Sequence, residues 1–484
     1  MVNSLLIIAA LALIVQAFIG LTYLISSIWE KEKRASIFAG LQFLGMLGLV
    51  IAFFYLVEGG FFETPTGLAL LIAGVSVGAI GIFLLVRKTK PNQRALKGTA
   101  GLTVGEVKRY DQRQHVFGRN RSIRPGSEQY RRFYREHPEM EECDAKRREM
   151  GLTLGQHPGA IDGPYGRANV AATFAFWSIP IYLQSPKKVK PQAHPELRGK
   201  KVSLSPEEAT ERVEGYTRSI GADLVGIAEI NPVWVYSHRG EIYYDNWEDW
   251  GKEIDIAHRY AVVFAMEMSF DMVGAGPHTP TVMESMQNYA KGAYISTQLA
   301  SFIANLGYSA TANHLRHYEA LMVPLAVDAG LGELGRLGYL VTKEFGPRVR
   351  LGAVTTELPL IPDRPVDIGV EDFCRICKKC ALCCPSNAIP LGDQAEVNGS
   401  FRWKLNAKSC FDYWAKIGTD CNICMRVCPW SHARTFPHKV IVKLIIRNSI
   451  ARRLFSVMDD IFYGKKPRPK PGPRWAGFNA GQSG

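Results

Sequence analysis

Apolar and polar positions are distributed unevenly along the 484-residue chain. Three apolar runs, 4–28, 36–57 and 67–86, come first, with Gln16 and Gln42 as their strongly polar interruptions. Each reaches the roughly 20 residues needed to cross a bilayer. No Lys or Arg precedes the first run, and its apolar stretch is too long for a cleaved secretory signal. The pattern predicts three membrane-spanning helices within residues 1–86.

Regular patterning resumes only near residue 201, after a stretch rich in Arg, Gly and Pro (87–200) that predicts long loops and short helices. Ser205, Pro206 and Glu208 form a capping-box start. An apolar stripe of Ala209, Val213, Tyr216 and Ile220 follows, and Gly221 stops it. Strands are predicted at 224–230 and in "YAVVFAMEM" from Tyr260. A helix is predicted over 289–306, a further helix and Gly-rich turn in "MVPLAVDAGLGELGRLGYLVT", and a strand in "RVRLGAVTTEL". Helices alternating with apolar strands point to a mixed α/β (α+β) core over 201–370. A cluster module (371–432) and a basic, Pro-rich tail (433–484) that packs on the core complete the expected organisation.

Charge adds orientation. Lys31, Lys33 and Arg34 lie in the first short loop and Arg87, Lys88 and Lys90 follow the third run, whereas the second loop carries Glu58 and Glu63. Positive residues stay inside, so the N-terminus is expected outside and everything beyond residue 87 in the cytoplasm of a multi-pass cell-membrane protein. The net charge of +13 draws heavily on Lys108 to Arg135. Beside a transmembrane helix, such a segment is better read as contacting anionic lipid or solvent than nucleic acid.

Cysteine spacing carries the chemistry. Cys374, Cys377, Cys380 and Cys384-Pro385 have the bacterial ferredoxin spacing, and Cys410, Cys421, Cys424 and Cys428-Pro429 form a second run with a longer first gap. In this pattern the fourth thiolate of each run serves the other cluster. One [4Fe–4S] cluster is therefore expected on Cys374, Cys377, Cys380 and Cys428, and the other on Cys384, Cys410, Cys421 and Cys424. Disulfides and tetrahedral zinc account less well for two Cys-x-x-Cys pairs with trailing Cys-Pro steps. Cys383 is left as a bystander and Cys143 as an exposed thiol.

With these runs and the α/β core, residues 155–475 resemble the reductive dehalogenases. The most specific stretches are "SPEEATERVEGYTRSIGADLVGIAEINPVWVYS", "SMQNYAKGAYISTQLASFIANLGYSA" and "VPLAVDAGLGELGRLGYLVTKEFGPRVRLGAVTTELPLIPD". Epoxyqueuosine reductases, which share the "AGLGELG" type of turn, are the nearest alternative. The resemblance implies a nitroreductase-like, corrinoid-binding core and a base-off cobalamin; no Asp-x-His-x-x-Gly pattern offers a lower histidine ligand. By motif position it assigns catalytic roles to Tyr289, Arg348 and Asn313. Gly330, Gly332, Gly335 and Gly338 would let backbone approach the corrinoid or simply make tight turns. Glu333 and Arg336, near this turn, could serve either purpose.

The activity so implied is reductive removal of halide from an organohalide, with electrons from a ferredoxin, a flavoprotein or quinol. A phenol donates the proton, and an arginine stabilises the phenolate left behind. The alternatives are a corrinoid reductase of a non-halogenated substrate and a membrane-anchored two-cluster electron carrier. The chain departs from respiratory family members in lacking an N-terminal twin arginine and carrying its own apolar helices, which agrees with a cytoplasmic catalytic part.

Overall fold

The computed structural model describes residues 2–151, 164–183, 200–241 and 247–478. The chain divides into two compact units.

The first unit comprises Met1–Pro91, Asp372–Cys377 and His432–Pro467. Its three apolar helices, α1 (Val2–Trp29), α2 (Lys33–Glu58) and α3 (Pro65–Val86), are each long and apolar enough to cross a membrane. Large apolar side chains such as Phe18, Leu41 and Phe83 are exposed on them, as expected for a surface that faces lipid. Two amphipathic helices from the chain's far end, α4 (Phe436–Arg447) and α5 (Ser449–Tyr463), complete this unit. Phe462 and Tyr463 of α5 pack on the small residues Ala35 and Ala39 of α2. Asn448, between α4 and α5, donates its side-chain amide to the carbonyls of Leu84 and Arg87, both at 2.6 Å, satisfying the open end of α3.

The second unit holds Asn92–Glu371, Lys378–Ser431 and Arg468–Gly484. Its sheet has four antiparallel strands in the order β1 (Leu224–Glu229), β2 (Tyr260–Glu267), β6 (Val349–Thr356) and β3 (Ala310–Asn313). The fold is thus of the α+β kind. Alternation along the strands explains the burial of both faces. Ile227, Val262, Phe264 and Val354 meet Ile295, Leu299 and Ile303 of the long helix Thr279–Asn305 on one face. Ala261, Val263 and Ala353 meet Leu325 and Ala326 of helix Met322–Asp328 on the other. The Ser205–Glu208 capping box forms as expected, with backbone donors at 3.2 and 3.1 Å. The long helix starts ten residues before the expected 289, because the polar stretch around Thr279 to Asn288 is itself buried.

Between the sheet strands, a short hairpin pairs β4 (Glu333–Leu334) with β5 (Leu340–Val341). Of the four glycines singled out above, Gly335 and Gly338 lie in its loop and Gly330 and Gly332 just before it. A Cβ on Gly332 would stand 2.2 Å from Val341 O, and Gly330, at φ +71°, packs against Arg364 O. The nearest neighbours of Gly335 and Gly338 are likewise side chains of this chain, Val341 and Leu405. Each of the four thus has a neighbour within the chain that a side chain at its position would crowd.

The basic lead-in does not behave as one solvated surface. Arg124, Arg131, Arg132 and Arg135 are exposed, but Arg119 and Arg147 are buried. Arg119 Nε lies 2.7 Å from Asp144 Oδ2, and Arg147 sits over the Phe411 ring with 3.9 Å to its centroid. Lipid or solvent contact is thus corrected for Arg119; the carboxylate and aromatic partners of the two inward arginines repay their desolvation. Cys143, expected to be exposed, is half-buried, and its Sγ lies 3.2 Å from Met140 O.

Candidate functional site

Cys374, Cys377, Cys380 and Cys424 lie on short helices bounded by left-handed residues, and Cys410 lies on the longer helix Ala407–Ile417. Cys374 and Cys377 lie three apart on helix Val370–Cys377, which places them on one face. Lys378, at φ +53°, ends that helix, and Cys380 starts afresh on Lys379–Leu382. In the second run, Cys421 and Asn422 are both left-handed, with φ of +65° and +50°, immediately before the turn that carries Cys424. All ten cysteines are free of disulfides.

Electrostatics shows which thiols crowd together. Burial, with Cys384 adding to it, pushes Cys410 up to about 11. Burial likewise pushes Cys421 up to about 12, with Cys410 and Cys384 among the groups adding to the shift. Cys424 is held well above the usual thiol range, by burial first and then by Cys421, Cys410, Cys380 and Cys384. Neighbouring thiols that repel one another as anions fit a cationic metal centre, which would reverse the shifts of Cys410, Cys421 and Cys424 by binding the thiolates. Cys384, Cys410, Cys421 and Cys424 are the set expected for one cluster. Cys380 and Cys428 are also buried.

Next to Cys421 lies a polar network. Thr281, Ser285 and Tyr289 recur every four residues along the long helix and so share a stripe. Asn422 donates to Thr281 Oγ1 at 2.9 Å, and its side-chain nitrogen lies 3.1 Å from Asp420 Oδ2. From β6, Arg350 donates to Ser285 Oγ at 2.8 Å and pairs with Asp420 at 3.5 Å. Its guanidinium carbon stands 5.3 Å from the centre of the Tyr289 ring. Burial opposes the Arg350 charge, but Tyr289, Asp420, Tyr339 and Glu284 outweigh it and hold its pKa above the ordinary arginine value. Asp420 is pushed up to about 6 by burial, with Arg350, Ser285 and Asn422 pulling the other way. Arg350 Nε and Asp420 Oδ1 are buried and have no hydrogen-bond partner among the described residues. A bound polar group would satisfy such atoms.

Of the expected catalytic trio, the structure places Tyr289 here but not the other two. Arg348 is fully buried, with Nη1 3.0 Å from Glu267 Oε1 and Nε donating to Ser431 O at 2.9 Å. It ties the segment before β6 to the end of β2 and to Ser431. Asn313, also fully buried, accepts from Glu319 N at 2.8 Å and donates to Thr311 O at 3.1 Å, holding the turn after β3. Arg350, two residues beyond Arg348, is the arginine that reaches Tyr289.

Sequence reasoning also missed Arg121, Glu241, Arg316 and Tyr318. Burial, with Arg316 adding to it, lowers Arg121 to about 10, while Glu241 and Tyr289 act against the shift. Arg316 Nε lies 3.6 Å from Glu241 Oε2, and both residues are buried. Burial raises the Glu241 carboxyl, with Arg316 and Arg121 pulling it down. Burial also raises Tyr318 well above its usual range, and Glu241, Tyr236 and Tyr289 add to this. Scattered over three segments, these residues share no motif; inward-facing arginines in a basic stretch were the only available signal.

Glu333 and Arg336 have structural roles near the cluster helix. Arg336 donates to the carbonyls of Pro390 and Gly392, both at 2.7 Å, and lies over the Trp403 ring. Glu333 accepts from Ile368 N at 2.6 Å and Val370 N at 3.2 Å, fixing the start of helix Val370–Cys377. Burial pushes its carboxyl from 4.5 up to about 7, against the backbone hydrogen bonds. Between those values the folded chain keeps a proton that the unfolded chain has lost, so stability falls as pH rises through the window. In Glu333→Gln, the decline in denaturation midpoint between about pH 5 and 7.5 should be shallower than in the parent. An unchanged slope would remove Glu333 as its source.

Comparison with known proteins places these features. Residues 373–437 match the family model of the 4Fe-4S dicluster domain. The chain is 35% identical over 282 residues to the tetrachloroethene reductive dehalogenase of Dehalobacter restrictus, covering 49% of this chain and 50% of that protein. It is 32% identical over 297 residues to the tetrachloroethene reductive dehalogenase of Sulfurospirillum multivorans, covering 54% and 58%. The solved structure of the catabolic reductive dehalogenase NpRdhA superposes with a TM-score of 0.60 at 27% identity, over 75% of this chain and 48% of that one. The epoxyqueuosine reductase of Bacillus anthracis is 31% identical over 157 residues, 29% of this chain and 40% of that protein. The chain spans about half the length of the reductive dehalogenases it matches.

Proposed function

We infer that this chain, a homologue of the reductive dehalogenases, is a membrane-anchored oxidoreductase that removes halide from an organohalide. The observation that carries this reading is the pairing of Tyr289 with Arg350 beside the loop that bears Cys421. In that loop Asp420 and Asn422, the two neighbours of Cys421, hold Arg350 and the stripe of the long helix in register.

A bound corrinoid would supply a strongly reducing cobalt centre, and two [4Fe–4S] clusters would supply single electrons to it. Cys374, Cys377, Cys380 and Cys428 would hold one cluster, and Cys384, Cys410, Cys421 and Cys424 the other. Tyr289 holds the proton that goes to the carbon from which halide departs. A permanently charged arginine against the ring favours the phenolate that remains. Because Asp420 and Ser285 fix the Arg350 side chain, the charge is in place before the proton moves.

The basic residues flanking α1 and α3 support a topology with the catalytic unit on the cytoplasmic side. Ferredoxin, a reduced flavoprotein or membrane quinol are then the accessible donors.

The test is anaerobic. The cluster-loaded protein is reconstituted with cobalamin, its cobalt-to-iron ratio is measured, and halide release is followed from brominated and chlorinated phenols and alkenes with reduced viologen. Bound corrinoid with halide release is the expected result. Corrinoid without halide release across the panel would favour a reductase of a non-halogenated substrate. Iron without cobalt would leave an electron carrier.

A further inference from the structure

Away from the Tyr289 site, the first unit contains a cluster of metal-ligating side chains that the proposed function does not use. Glu30, in the turn after α1, is 1% exposed; His438, in the first turn of α4, is 6% exposed. With His432, just before α4, each offers a ligand atom within 4.8 Å of the other two. The imidazole rings of His432 and His438 lie 4.8 Å apart between centroids, tilted by 23°. His438 Nδ1 is 3.3 Å from Glu30 Oε1.

The surroundings of both imidazoles are those of metal ligands. A ligating histidine presents one nitrogen to the ion and gives the other to a carboxylate or other oxygen that fixes its tautomer and orientation. His432 Nε2 lies 2.7 Å from Asp459 Oδ1, and His438 Nε2 lies 3.0 Å from the Tyr463 hydroxyl. Both partners come from α5. With the Nε2 atoms so engaged, an ion would bind on the Nδ1 side, where His438 now meets Glu30. The Thr435 hydroxyl, 2.7 Å from His438 Nδ1, would turn aside on binding. Ser26 Oγ, which can donate to Glu30 Oε1 at 2.8 Å, would remain as support for the carboxylate.

We propose that Glu30, His432 and His438 form a divalent metal site of the zinc class that fastens the cytoplasmic end of α1 to α4 and α5. Two imidazoles and one carboxylate suit zinc, with a fourth position left for water. The ion neutralises the buried carboxylate and links the membrane anchor to the chain just beyond the last cluster cysteine through bonds stronger than hydrogen bonds. The site is independent of the reaction at Tyr289.

The full chain, with its clusters loaded anaerobically and held in detergent, is incubated with zinc, desalted and assayed for zinc and iron. The expected result is retention of about one zinc per chain and its loss in the His432→Gln/His438→Gln double variant, with iron content unchanged. No retained zinc in the parent, or equal retention in the double variant, overturns the proposal. If the double variant loses its iron as well, X-ray absorption at the zinc edge of the parent decides. Nitrogen and oxygen neighbours at about 2.0–2.1 Å support the site, whereas sulfur at about 2.3 Å would place the zinc on cluster cysteines and sink it.

Discussion

Tyr289→Phe should lower the rate of halide release by at least about 100-fold while leaving cluster and corrinoid content intact, because a positioned general acid contributes about 10²–10⁴ in rate. The substitution removes only the hydroxyl. The ring is half-buried against Arg350, and phenylalanine keeps that contact with the guanidinium. Loss of the rate with preserved substrate affinity would mark the phenol as proton donor. A variant that retains the parental rate would return Tyr289 to packing and require a proton from water or another group. Solvent deuterium offers an independent check: the parent should incorporate it at the dehalogenated carbon, and its isotope effect on rate should disappear in the variant.

The two arginines should separate cleanly. Arg350→Gln should lower the turnover rate by about 10- to 100-fold, the scale of an oriented charge acting on a proton transfer. Folding should be less affected, because glutamine can still bond to Ser285 and Asp420. In Arg348→Gln the main loss should instead be in the yield of cluster-loaded protein. Arg348 bonds Glu267 and Met268 on one side and Ser431 on the other, and leaving the buried carbonyls of Met268 and Ser431 without their donor costs about 1–3 kcal/mol each. Soluble yield, iron content and turnover, measured on both variants, distinguish the cases. Full turnover in Arg350→Gln with loss in folded Arg348→Gln would restore the assignment made by motif position.

The reason Arg350, and not the Arg348 named by motif position, stands over the Tyr289 ring is local. In "GPRVR" the two arginines stand two apart, a spacing that in a continuous strand would send both to one face. The strand begins only at Val349, after Pro347, so Arg348 belongs to the preceding turn and points elsewhere. Asn313 shows a related limit: its amide is consumed by the backbone of the turn it terminates. The glycine-rich hairpin was legible as a tight turn, but the carbonyls that crowd Gly330 and Gly332 come from distant segments.

By itself the sequence determined the features whose physics is local. A run of apolar residues long enough to span a bilayer, a capping box, period-two strands and cysteines at cluster spacing each depend on neighbours within a few turns of chain. The tertiary structure decided what depends on residues far apart in sequence. It turned Arg119 and Arg147 inward, brought Arg350 rather than Arg348 to Tyr289, set Asp420 and Asn422 on the long helix, and gathered Glu30 with His432 and His438. Buried charges and hydrogen-bonding groups must find partners wherever the fold puts them, so these pairings follow from the packing of the whole chain and leave no spacing to read in advance.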